Sequence, residues 1–136
     1  SIVFMTSIRV FRNRTDNNQS KSTIWEDIIM YKNIEKQEKL CLKDLVEYME
    51  GQIVSKTLVQ NQLVSMTLFS FDKGEEISTH AAGGDAMVTV LEGTGRFTVG
   101  GKVFILNAGE TLIMPKDIPH AVFGEEKFKM QLVVSF

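Results

Sequence analysis

The chain has two histidines, His80 and His120, and each lies in a segment punctuated by glycines. The first segment runs from Gly74 through His80, Ala82, Asp85 and Ala86 to Gly93; the second runs from Gly109 through Pro115 and Asp117 to His120. Imidazole titrates nearest to neutral pH of the common side chains and is the commonest metal ligand. Together with Asp85 the two rings would make a set of two histidines and one carboxylate, which holds iron in non-haem oxygenases. Strand geometry works against that set. Residues i and i+2 share a face, so an inward residue at 86 shares its face with Val88 and Val90, and Asp85 belongs to the opposite set. A bulge at Gly83 and Gly84 would turn Asp85 inward; otherwise it serves as a turn-capping aspartate.

Positioning these residues is the work of short strands. From Gln52 onward the apolar period is two, clearest where Phe128, Met130, Leu132, Val134 and Phe136 alternate with mostly polar neighbours. Gly100 and Gly101 are a two-residue hairpin signal joining strands at 96–99 and 102–106. Further turn signals fall at 72–74, 83–84, 93–95 and 107–109, a spacing that predicts an antiparallel sandwich or barrel.

Upstream the reading changes. Thr23 and Glu26 stand at capping-box spacing ahead of Ile24, Trp25, Ile28 and Ile29, and Leu42, Leu45, Val46 and Met49 recur at helical spacing before Gly51. The expected organisation is a polar, flexible arm at 1–22, a helical extension at 23–51 packing on the barrel or on a partner subunit, and a β-barrel at 52–136.

The two glycine-histidine segments resemble the paired motifs of the cupin superfamily, specifically its small single-domain bacterial members with a conserved barrel. In the first motif Gly74, His80 and Gly93 fit, while Ala82 stands at the second histidine position and Ala86 at the glutamate position. In the second, Gly109, Pro115 and His120 fit; Asp117 replaces a glycine and Gly124 an asparagine. The resemblance covers roughly residues 64–136. It implies an all-β fold, a double-stranded β-helix or jelly-roll barrel of the RmlC-like type, with the short helical extension at its N-terminus. It also implies a metal held by three histidines and a glutamate, of which only His80 and His120 are present.

Two functions follow as expectations. One is a barrel that binds a small organic molecule, with His80 and His120 as its polar groups and Met87, Met114 and Met130 as a soft apolar lining. The other is a metal-dependent enzyme of the dioxygenase, isomerase or decarboxylase type, in which His80, His120 and Asp85 hold zinc, iron, nickel or manganese. Ser78 and Thr79 lack the third group and the oxyanion loop of a hydrolase triad. Asp117 reads as a turn former rather than an acid.

Composition narrows the field. A net charge of -2 with 43% hydrophobic and 24% charged residues gives no electrostatic footprint for nucleic acid or anionic membranes. No apolar run approaches the roughly 20 residues that span a bilayer. The single cysteine, Cys41, excludes an internal disulfide and fits a cytoplasmic location. The resemblance further implies a homodimer, and no organic cofactor.

Overall fold

The computed structural model of the protein describes residues 4–6 and 30–136. Among the described residues, eight strands form the scaffold: β1 (Phe4–Thr6), β2 (Ile53–Gln60), β3 (Val64–Phe71), β4 (Glu76–His80), β5 (Asp85–Val99), β6 (Lys102–Asn107), β7 (Thr111–Met114) and β8 (His120–Ser135). Their hydrogen-bonded order is β1-β2-β3-β8-β5-β6, with β4 also on β8 and β7 also on β5. All pairs are antiparallel except β1 with β2.

Two long strands bend the ladder into a barrel. Residues 86–89 of β5 pair with β7, and residues 94–99 with β6. The opening of β8 pairs with β4, and its closing residues pair with β3. The two strands also pair with each other, with register shifts at 90–92 and 93–95. At the second shift Gly93 has a φ of 77°, and a Cβ there would stand 1.9 Å from the carbonyl oxygen of Lys127. Only glycine fits such a position. Each long strand thus pairs with three others along its length in one continuous sheet, and the all-β cupin-type barrel expected from the sequence is the fold observed.

Alternation fills the inside. Ala86, Val88 and Val90 of β5 point inward, as do Val122, Phe128, Met130 and Val134 of β8, and they join Ile53, Phe71, Phe97 and Leu106 in one core. Phe71 and Phe128 stack at 4.5 Å between ring centroids, and Phe97 meets Phe128 edge-on at 6.0 Å. The hairpin signal is realised at Gly100 and Gly101, both with positive φ, between Val99 and Lys102.

The extension is where the structure departs from the sequence reading. Residues 7–29, which include the capping box at Thr23, lie outside the described residues, and of the expected arm only Phe4–Thr6 is described, as strand β1. Among the described residues, 30–51 hold no α-helix, only a 3₁₀ turn at Leu42–Leu45 between extended Cys41 and Val46. Positive φ at Asn33 and Gln37 rules out a helix before it. The physical reason lies in where the carbonyls go. Those of Lys43 and Glu47, which a helix would use internally, accept hydrogen bonds from Lys129 Nζ at 2.6 Å and Ser70 Oγ at 2.7 Å. Lys32 donates its backbone N–H to Leu58 O at 2.8 Å. The apolar spacing still serves burial: Val46, with Ile34, Leu42 and Leu45 against it, packs on Val54, Leu58 and Leu68 as a second core outside the barrel. No helix among the described residues is long and apolar enough to cross a membrane.

Candidate functional site at the histidine pair

His80 closes β4 and His120 opens β8, and the two are register partners. The β4–β8 register is irregular between Ile77, which packs against the core, and His80. The Nε2 atoms stand 3.1 Å apart, with ring centroids at 4.3 Å and planes at 70°. His120 is 3% exposed, whereas His80 is exposed.

The other ring nitrogens settle the tautomers. His80 Nδ1 lies 2.9 Å from Ser78 O, and His120 Nδ1 lies 3.1 Å from Ile118 O. A carbonyl can only accept, so each Nδ1 carries a hydrogen and donates it. In the neutral rings both Nε2 atoms are then bare, and two lone pairs converge on one point. The pair closes its own hydrogen bond only by taking up one further proton. Burial, helped by the neighbouring His80 ring and opposed by the Ile118 carbonyl, holds the His120 pKa below the usual histidine range.

Two loops frame the pair. Asp85 Oδ1 accepts the backbone N–H of Lys116 at 2.8 Å, and Ala82 O accepts that of Asp117 at 3.0 Å. Asp117 has a φ of 62°, which suits a turn aspartate, as the sequence suggested. Pro119 O accepts the N–H of Gly100 at 2.9 Å, which fastens the same loop to the β5–β6 hairpin.

Of the expected site residues, the fold brings together His80 and His120 and separates the rest. Asp85 is not turned inward. With Ala86, Val88 and Val90 facing the core, Asp85 shares the outer face with Met87 and Thr89 and is engaged by Lys116. Among the described residues no group of three or more His, Cys, Asp or Glu stands close enough to hold a metal ion. The set of His80, His120 and Asp85 is therefore not assembled. Ala86 does face inward, but it pairs with Met114 and Val134 and brings no donor. Met114 and Met130 are core residues, whereas Met87 is 39% exposed and lies opposite the equally outward Ile113. The three methionines do not form one lining.

Sequence reasoning missed a second polar cluster on the barrel's outside. Tyr48 donates to Glu92 Oε2 at 2.6 Å, and Lys129 Nζ lies 3.9 Å from the same oxygen and 5.0 Å from the Tyr48 ring centre. Lys129 sat at a polar position in the alternation, and nothing local marked it as covered.

Comparisons with known proteins agree with this fold. A family model described as the cupin domain matches residues 67–136. A conserved protein of unknown function from Streptococcus pyogenes is 42% identical, with 79% of this chain and 95% of that one covered at a TM-score of 0.77. A cupin superfamily protein from Desulfitobacterium hafniense is 31% identical over 78% of this chain and 97% of its own, at a TM-score of 0.75. The chain belongs to the cupin superfamily. A salicylate 1,2-dioxygenase from Pseudaminobacter salicylatoxidans, 18% identical, covers 61% of this chain and 26% of its own at a TM-score of 0.57, a likeness of fold alone. A search of the curated proteins found no match.

Proposed function

We propose that the protein is a binding cupin that takes a small organic molecule at the barrel mouth, anchored by His80 and His120. The observation that carries this reading is the 3.1 Å approach of two Nε2 atoms whose partner nitrogens are both engaged by carbonyls. Two convergent acceptors favour a ligand that presents a hydroxyl or a protonated amine. The mutual packing of Phe71, Phe97 and Phe128 in the core supports a site at the exposed His80 rather than in the barrel's depth. A thermal-shift screen of small hydroxylated and amino-bearing compounds tests the idea. Hits should raise Tm in the natural protein and lose that effect in His80→Ala. Shifts that survive His80→Ala and His120→Ala alike would overturn it.

A second reading, a metal-dependent enzyme, is favoured by one feature of the same pair. Metal-bound histidines generally donate their other N–H to a carbonyl or carboxylate, as both rings do here. Two imidazoles nonetheless fall short of the three or more protein donors usual for zinc or iron. The donor set does not fit a resident metal. Elemental analysis of protein purified without a histidine tag or chelator separates the readings: about one equivalent of metal, lost in His80→Ala, favours the enzyme.

A further inference from the structure

Resting on the reading of the histidine pair as the recognition site, we infer that Asp85 is its positioning residue, acting through the loop that delivers His120. A chain of contacts links them. Gly84 passes so close to the end of β8 that a Cβ on it would stand 2.2 Å from Ser135 O. This fixes the turn that presents Asp85 on the outer side. There its Oδ1 accepts the N–H of Lys116, one residue before the positive-φ Asp117. A second tie, from Asp117 N–H to Ala82 O, lies beside it, and Ile118 N–H closes the turn on Pro115 O at 3.2 Å. The next acceptor along this turn is the Ile118 carbonyl, the group that receives the Nδ1 hydrogen of His120. Asp85 therefore holds the carbonyl that selects the His120 tautomer, and that tautomer is what leaves Nε2 bare toward His80. Asp85 touches neither ring and contributes geometry alone.

The test reads tautomers by two-bond ¹H–¹⁵N correlation on ligand-free protein labelled in its histidines, at a pH where both rings are neutral. The natural protein should show His120 as the Nδ1–H form. Asp85→Ala should lose that pattern, while Asp85→Asn, which keeps a side-chain acceptor for the Lys116 N–H, should retain it. If Asp85→Ala does not fold, Asp85→Glu, which displaces the carboxylate by one methylene, should show the same loss. Glu110→Ala is the control: it removes a comparable tie, Glu110 Oε1 to the Asn107 N–H at 2.8 Å, on another turn. It should lower Tm and leave the tautomer unchanged. An unaltered His120 tautomer in Asp85→Ala or Asp85→Glu, with only a lower Tm, would overturn the inference. Because no ligand is used, an empty ligand screen leaves this result standing, and a negative result here leaves the ligand reading intact.

Discussion

Tyr48 donates its phenolic hydrogen to Glu92 at 2.6 Å across 44 residues of chain, joining the segment before β2 to the middle of β5. Burial foremost, and then the Glu92 carboxylate, hold the phenol pKa well above its usual value, so it stays neutral throughout the ordinary pH range. Tyr48→Phe removes the bond and leaves Glu92 with Lys129 alone. The expected loss is about 1.5–3 kcal/mol in urea unfolding, the usual scale for a hydrogen bond to a charged acceptor. The histidine ring signals at the mouth should not move.

Stability should fall as the pH drops through about 6.5, the ordinary histidine value. Burial lowers the His120 pKa in the folded chain, so just below that pH the unfolded chain binds more protons. The loss grows until the folded pKa is passed and then levels off. Denaturant midpoints at half-unit steps from pH 7.5 to 5 (about six samples) would follow this limb. His120→Gln should flatten it. A second, separate loss belongs below pH 3.8, where Asp72 gives up the N–H bonds from Gly51 and Lys73 that keep its carboxyl pKa low.

Phe128→Ala should cost about 3–5 kcal/mol, because it removes the ring shared by Phe71 and Phe97 in the fully buried core. That is a large part of a typical domain's whole stability. Gly93→Ala should be as damaging for a different reason, since its Cβ would meet backbone rather than a movable side chain. Soluble yield and circular dichroism melting of the two variants check both.

Chelator treatment should leave Tm unchanged within error, as the binding reading requires. A fall in Tm on dialysis against EDTA that zinc or iron restores would instead support the metal-dependent reading.

Much of the barrel was legible because a strand's period of two records both the element and the face it buries. The alternation from Phe128 to Val134 and the Gly100–Gly101 hairpin both appear in the structure. The histidine pairing was legible too, since two motifs of fixed spacing place one ring on each of two neighbouring strands. The stripe of Leu42, Leu45 and Val46 marked the right residues for burial and the wrong backbone. Spacing alone cannot reveal that distant Ser70 and Lys129 take carbonyls a helix would have used. Met87 was misplaced for a simpler reason: once Ala86 faces inward, its neighbour must face out.

The reach of β8 has a consequence for how the molecule is made. That one strand is zipped to β3, β4 and β5, and the first of these pairings joins Val64 to Ser135. Until the sixteen-residue β8 has been synthesised, β3 has only β2 beside it, β4 has no partner strand and the site lacks His120. Contacts so far apart in sequence close slowly, and the waiting edges are sticky. The rate of folding should therefore be set by when β8 joins its three partner strands.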